Sequence, residues 1–229
     1  MNLSSRLWDR SCCASSATVV VPDGATIDEA VGRLNERIDA PSVIVGLSLG
    51  GIVAMAFTRR HPEKVAGLVL MATNPRGPTE AQIAGWSEGI DSVTASGDTR
   101  AFQETTLPLL LSPRGLEDEQ LVADTLEGGA EIPPATLINQ LAMQRTRIDE
   151  RPSLAEITVP VEVLAGRQDA LCPVSNHEEI RDLISGAVLE ISEDSGHLIA
   201  LEDPSAVDAA ITRIYHRLCG DTTFKENDE

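Results

Sequence analysis

The chain has 229 residues, and its 18 basic against 36 acidic side chains give a formal net charge of −18. This length fits one domain with a sizeable core, and a content of 42% hydrophobic and 24% charged residues is typical of globular proteins. The acidic balance argues against nucleic acid or an anionic membrane as a partner, because both attract clustered lysine and arginine. With no signal peptide and no apolar run of about 18 residues, a cytoplasmic protein is expected.

Strands and helices are predicted to alternate in the first third of the chain. Thr26 and Glu29 are spaced as a capping box at the start of the first helix. Alternation of this kind predicts an α/β fold with a mostly parallel sheet and right-handed crossovers. The predicted elements are, in order, a strand at 18–21 (TVVV), a helix at 26–38, a strand at 42–47, a helix at 49–60 and a strand at 65–72.

The middle of the chain shows no convincing strand pattern, and alternation resumes only near its last third. The middle part is predicted to hold helices near 79–95, 98–111, 116–128 and 133–147, and the last part a strand at 159–165, a helix near 175–185, a strand at 187–191 and a helix at 204–218. The interpretation is an α/β core of residues 1–74 and 156–219, a helical cap of residues 75–155 inserted between sheet strands, and a flexible tail of residues 220–229.

The sharpest local motif is G-x-S-x-G at residues 46–50, GLSLG, between a predicted strand and a predicted helix. That context is typical of a nucleophile elbow, in which a strained turn lifts a serine hydroxyl above the sheet edge. Gly46 and Gly50 are expected to be required because a Cβ at either position would collide across the turn. Ser48 is therefore the predicted nucleophile, and the Leu49 N–H at the helix start a predicted oxyanion donor.

A serine nucleophile needs a base and an acid that orients it. His197 follows the last predicted strand, so its imidazole can reach a serine at the same sheet edge, and it is the predicted base. Asp169, just past the preceding strand, is the predicted acid and gives the chain order Ser, Asp, His. Asp194 is the rival acid, although its place three residues before His197 favours a role in shaping the loop.

Four segments carry a family resemblance: VIVGLSLGGIVAMAF, HPEKVAGLVLMATNPR, LAGRQDALCP and SEDSGHLIALEDP. Together they resemble the α/β-hydrolase superfamily, notably its helical-cap branch of enol-lactonases, esterases and C–C hydrolases. The resemblance runs from about residue 4 to residue 218 and is weakest in the cap. It implies acyl chemistry without a metal or organic cofactor and leaves the substrate open, since one fold hosts many reactions.

The N-terminus departs from that family, whose earlier strands include one ending in a His-Gly or Pro-Gly loop. The backbone of that loop supplies half of the oxyanion hole. The first three family strands are predicted to be missing here, and three explanations are open: a start downstream of the true one, a decayed gene copy, or a short form in which 18–21 pairs directly with 42–47. The second oxyanion donor is then expected from the Met1–Ser4 backbone, with Asn2 as the candidate.

Four cap side chains are candidates for binding substrate, because they lie on adjacent turns of one predicted helix. Ordinary packing is the simpler interpretation, and the alternative is a pocket roof that offers an amide or a cation to a polar substrate end. These residues are Gln140, Met143, Gln144 and Arg147.

The predicted function is that of a serine hydrolase which cleaves a small carboxylic ester or lactone through an acyl-enzyme. C–C bond hydrolysis and peracid formation with the same triad stay open as alternatives. So does an inactive, hydrolase-like binding protein, because of the missing strands. The predicted partners are a small-molecule substrate and a second copy of the chain in a homodimer.

Overall fold

A computed structural model describes residues 3–13 and 17–220 of the chain. Four parallel strands form one sheet in the order β1-β2-β3-β4: β1 Ser42–Leu47, β2 Val65–Met71, β3 Val161–Gly166 and β4 Val188–Ser192. Each strand therefore neighbours the one before it in sequence, and all four carboxyl ends meet at one edge. The parallel α/β class is confirmed.

Helices that precede, separate and follow the strands cover the two faces of this sheet. They are α1 Ile27–Asn35, α2 Leu49–Arg60, α9 Val174–Leu183, α10 Ile199–Glu202 and α11 Pro204–Cys219, with a short 3-10 helix at Ser5–Trp8. Successive residues of β2 alternate between the faces: Leu68 and Leu70 pack with α1, α2 and α9, whereas Val69 and Met71 pack with α10 and α11. The central strands β2 and β3 are thus buried on both faces, as is usual in parallel sheets.

Between β2 and β3 the chain forms helices and no strand, and every residue of this interval is described. The helices are α3 Glu80–Ser96, α4 Thr99–Leu110, α5 Pro113–Glu117, α6 Glu119–Ala130, α7 Pro134–Gln144 and α8 Arg151–Leu154. Val93, Ile132, Leu137 and Leu141 form a small apolar core of their own, against which Trp86 packs. Because these helices share an apolar core of their own, they can form a layer without a strand. The predicted boundaries of the cap at 75 and 155 stay predictions.

The prediction of a strand at residues 18–21 is wrong. These residues have no regular backbone pairing, so the explanation in which 18–21 pairs directly with 42–47 is also wrong for this structure. Val21 instead packs its side chain against the apolar core of the helical layer. A β-branched run is a strand only where a neighbouring backbone supplies hydrogen bonds, and β1 pairs within the described residues with β2 alone.

The first helix begins as predicted but ends earlier. Thr26 caps it by accepting the Glu29 N–H at 3.1 Å, whereas the Glu29 carboxylate accepts the Ala25 N–H rather than that of Thr26. The helix ends at Asn35, three residues before the predicted end. Most of the predicted tail, at 221–229, lies outside the described residues. Within those residues, no helix combines the length and apolar character needed to cross a membrane.

Candidate functional site

Ser48 occupies a strained turn between β1 and α2. Its φ of 54° and ψ of −115° lie in a region that side-chain-bearing residues rarely adopt. The surrounding chain holds this conformation on both sides: the Ser48 N–H donates to the Met71 carbonyl at 2.9 Å, and the Ser48 carbonyl accepts the Thr73 hydroxyl at 2.9 Å. Such a conformation costs about 1–3 kcal/mol, and hydrogen bonds on both sides maintain it. Strained residues held in this way are characteristic of functional positions.

The glycines around Ser48 differ in how strictly they are required. A Cβ on Gly46 would lie 2.6 Å from the Gly50 carbonyl oxygen, and a Cβ on Gly51 would lie 2.7 Å from the Thr73 side chain. A Cβ on Gly50 would meet no atom within 4 Å, so the expectation that Gly50 is sterically required is wrong. The reason is its place in the first turn of α2, where a side chain points away from β1.

Alanine substitutions should separate the two outer glycines of the motif. Gly46→Ala is expected to lower the free energy of unfolding by about 2 kcal/mol or more, because its Cβ meets rigid backbone. Gly50→Ala is expected to change it by at most about 0.5 kcal/mol, since alanine suits a helix better than glycine. Urea unfolding of both variants beside the parent chain measures this. Equal losses for the two variants would contradict the geometry of the turn.

Asp169 and His197 form a buried pair at the same edge of the sheet. His197 Nδ1 lies 2.8 Å from Asp169 Oδ2, and neither side chain is more than 3% exposed. The other carboxylate oxygen, Oδ1, accepts the N–H groups of Leu171 and Cys172, each at 2.8 Å. The carboxylate is thereby fixed by its own turn, with one oxygen left to orient the imidazole.

The loops that carry these two residues are packed against each other. A Cβ on Gly166, at the end of β3, would lie 2.1 Å from the Gly196 carbonyl oxygen, so only glycine allows the approach. Glu202 accepts the Gly196 N–H and the Ser112 N–H, each at 2.8 Å. Because Ser112 belongs to the helical layer, this carboxylate ties that layer to the loop of His197.

Ser48 and His197 share the sheet edge, since each follows the carboxyl end of a parallel strand. No hydrogen bond joins the Ser48 hydroxyl to His197, both of which are described. Such contacts are often long until substrate is bound. Leu49 is the first residue of α2, so its N–H has no acceptor within the helix and is available to an anion. Asn2, the predicted second donor, lies outside the described residues. The catalytic roles of these residues stay predictions.

Asp194, the rival acid, lies apart from the pair. Its side chain is 77% exposed and its nearest ion-pair partner is Arg114 at 3.8 Å.

Cys172 is closer to the pair: its sulfur and the ligand atoms of Asp169 and His197 all lie within 4.8 Å of one another. Burial raises the pKa of the Cys172 thiol well above its usual value, so the group is protonated and a poor nucleophile. The predicted absence of a bound metal stays a prediction.

Sequence reasoning missed His177, which lies early in the predicted helix near 175–185 and belongs to none of the motifs described above. The residue is completely buried, and its Nε2 accepts the Thr73 N–H at 3.0 Å. Because the Thr73 hydroxyl also donates to the Ser48 carbonyl, His177 helps to hold the turn of the predicted nucleophile through Thr73. Burial lowers the pKa of His177 to about 4, so the ring is neutral and keeps its acceptor nitrogen.

This histidine predicts a defined acid sensitivity. Its pKa is lower in the folded chain than in the unfolded one, so the unfolded state binds the extra proton and stability falls as the pH drops from about 6.5 toward 4. Between pH 7 and pH 5 the parent should lose about 2 kcal/mol more than His177→Gln, whose amide oxygen can still accept the Thr73 N–H. Urea unfolding of both at each pH provides the test, and carboxylate titration cancels in the difference. Parallel losses would contradict a neutral, buried His177.

The four candidate substrate residues of the helical layer are all buried. Met143 packs with Leu49 and other residues of α2 in the core of the sheet. Gln140 donates to the Pro22 carbonyl at 3.1 Å and lines a groove of about 760 Å³ along the outer edge of β1. Gln144 accepts a hydrogen bond from Arg147 at 3.2 Å, and Arg147 in turn stacks over Trp86. The contacts of Gln140 and Met143 lie within the chain, and the binding role of all four residues stays a prediction.

Comparison with known proteins agrees with this architecture. Residues 10–204 match the family model described as the alpha/beta hydrolase fold. Over 192 residues the chain is 31% identical to a pimeloyl-[acyl-carrier protein] methyl ester esterase of Aromatoleum aromaticum, which covers 79% of this chain and 76% of that protein.

Two solved structures share the fold at lower identity. A thermophilic esterase from Thermogutta terrifontis, solved with malate bound, superposes with a TM-score of 0.84 at 22% identity, over 94% of this chain and 86% of that one. The enol-lactonase from Burkholderia xenovorans LB400 superposes with a TM-score of 0.81 at 20% identity, over 93% and 87% of the two chains. From the matched family model, the parallel sheet and the strained serine turn, the chain belongs to the α/β-hydrolase family.

Proposed function

We propose that the chain is a serine hydrolase that cleaves small carboxylic esters or lactones. The observation that carries the proposal is the buried pair of His197 and Asp169, joined at 2.8 Å, at the sheet edge where Ser48 stands in a strained turn. A buried histidine with a carboxylate on one nitrogen has its other nitrogen free for a proton, which is the arrangement of a general base. The name of the 31% identical relative, a methyl ester esterase, supports ester chemistry.

In the proposed reaction, Ser48 Oγ attacks the carbonyl carbon while its proton moves to His197 Nε2. The developing oxyanion is stabilised by the Leu49 N–H at the positive end of α2. The C–O bond to the leaving group then breaks, and His197 returns the proton to the departing alcohol. Water, deprotonated by His197, hydrolyses the acyl-serine and restores the free enzyme. Asp169 keeps the imidazole in the required tautomer throughout.

The proposed chemistry needs no metal or organic cofactor, because serine, histidine and aspartate supply the nucleophile, base and orienting charge. A cytoplasmic location and a homodimer stay predictions, and sedimentation of the purified chain would measure the second. The alternatives of C–C hydrolysis and peracid formation use the same three residues, so an ester assay of the parent chain is the direct test of the main proposal.

That assay uses p-nitrophenyl acetate and butyrate at neutral pH. We expect turnover with a burst of nitrophenol close to one equivalent of enzyme when deacylation is the slower step. A chain that releases no more nitrophenol than the same protein after heat inactivation would overturn the proposed activity.

A further inference from the structure

The buried carboxylates of the described residues each contact a basic side chain, whereas the buried guanidinium of Arg147 contacts no acid. Glu150 binds Arg59 at 2.8 Å, Glu162 binds Arg213 at 2.7 Å, and Asp169 binds His197. Arg147, only 7% exposed, has no carboxylate within ion-pair distance among the described residues. Burying a guanidinium without a counter-charge is unfavourable, so its presence calls for an explanation.

The contacts of Arg147 hold it in place without neutralising it. Nη1 donates to the amide oxygen of Gln144 at 3.2 Å and Nη2 to that of Gln82 at 2.9 Å, while the guanidinium carbon lies 5.1 Å from the centre of the Trp86 ring. The Nε–H is buried and has no hydrogen-bond partner. Neutral oxygens and an aromatic face fix the orientation of the fork and leave its charge and one donor unused.

The acidic residues that follow Arg147 in sequence are engaged elsewhere. Asp149 accepts hydrogen bonds from Arg151, and Glu150 is paired with Arg59. Arg147 thus has no counter-charge although the chain carries a net charge of −18 and acidic residues follow two and three positions later. An anionic ligand would supply the missing counter-charge.

The segment that carries Arg147 adjoins the predicted reaction centre, because Met143, four residues earlier, shares an apolar cluster with Leu49, the residue after Ser48. The positive charge of Arg147 also partly offsets the rise that burial causes in the pKa of the Cys172 thiol, whose sulfur is within 4.8 Å of the ligand atoms of Asp169 and His197. Burial lowers the pKa of Arg147 from its ordinary value, and a bound anion would offset that cost.

We infer that Arg147 binds a carboxylate of the substrate, so that the preferred substrates are esters of dicarboxylic acids with one acid group free. This inference rests on the proposed function and deepens it. The free carboxylate meets the guanidinium, Trp86 and the two glutamines hold the guanidinium in orientation, and the ester end reaches Ser48. Arginine suits this task because its planar fork matches carboxylate geometry.

The test compares matched pairs of methyl esters by methanol release. Monomethyl succinate, glutarate and adipate carry the free carboxylate, and methyl butyrate, valerate and hexanoate are neutral counterparts of equal chain length. In the parent chain we expect kcat/KM for at least one anionic ester to exceed that of its neutral counterpart. Arg147→Met should lower that ratio by about tenfold to hundredfold, the loss expected for a hydrogen-bonded charge, and Arg147→Lys should lower it less. Arg145→Gln, an exposed arginine two residues away, should leave the ratio unchanged.

The second measurement is inhibition by free dicarboxylates, which does not require cleavage of an anionic ester. Free dicarboxylate should inhibit hydrolysis of the neutral ester competitively, with an inhibition constant that rises in Arg147→Met. Equal losses for anionic and neutral esters in Arg147→Met would show a merely structural role and overturn the inference. So would a parent chain that prefers neutral esters and is not inhibited by dicarboxylates, which decides the matter even if Arg147→Met does not fold. A parent chain that cleaves no ester but binds dicarboxylate would instead count against the proposed function alone.

Discussion

Replacing Ser48 by alanine is expected to lower kcat/KM for p-nitrophenyl butyrate by about 10⁴-fold or more. The substitution removes the Oγ that attacks the carbonyl and leaves the turn intact, because alanine has the same Cβ and meets the same backbone strain at φ 54°. The effect should therefore fall on kcat and not on folding, and a urea melt should show an unchanged midpoint.

The matched control for this variant is Ser87→Ala. Ser87 is a half-buried serine in α3 whose hydroxyl donates to the Ile83 carbonyl of the same helix. It should keep the parent rate. Turnover of ester by Ser48→Ala at the rate of Ser87→Ala would show that the nucleophile is another residue.

The second large effect is expected at Asp169. In Asp169→Asn the amide oxygen can still accept the Leu171 and Cys172 N–H groups, so the turn survives. The amide nitrogen then faces His197 Nδ1 and donates to it, which places the ring proton on Nε2. That tautomer cannot take the serine proton, and kcat should fall by about 10⁴-fold.

Asp194→Asn is the comparison that makes this prediction specific. The Asp194 carboxylate is exposed to solvent, and its pairing with Arg114 at 3.8 Å is of the kind that contributes little to stability. Loss of this charge should therefore change kcat by less than about twofold. If a side-by-side assay ranked the two variants in the opposite order, the acid would be Asp194.

The sequence predicts most of the sheet because buried parallel strands carry a strong local pattern. The segments 42–47 and 65–72 are continuous apolar runs, and both appear as strands with bounds within one residue. Residues 18–21, TVVV, are also rich in β-branched side chains but form no strand. A β-branched composition indicates that a segment suits a strand. A strand forms only where a neighbouring strand offers backbone hydrogen bonds, and the presence of that neighbour depends on the rest of the chain.

Contacts between distant segments are the part of the site that sequence could not supply. The G-x-S-x-G motif located the strained turn, because its spacing is a local property. The role of His177 depends on Thr73, which is 104 residues away and comes into contact only through the packing of α9 on the sheet. The unpaired state of Arg147 is likewise visible only once Glu150 is found to bind Arg59.

Covalent labelling by a fluorophosphonate tests most directly whether Ser48 is the nucleophile. Such a reagent phosphonylates an activated serine hydroxyl with loss of fluoride, and its site is mapped by peptide mass spectrometry. One adduct is expected per chain, on the peptide that contains Ser48, with none in Ser48→Ala and slow formation in Asp169→Asn. An adduct on a different residue, or an ester-hydrolysing chain that stays unlabelled and fully active, would contradict the assignment of Ser48 as the nucleophile.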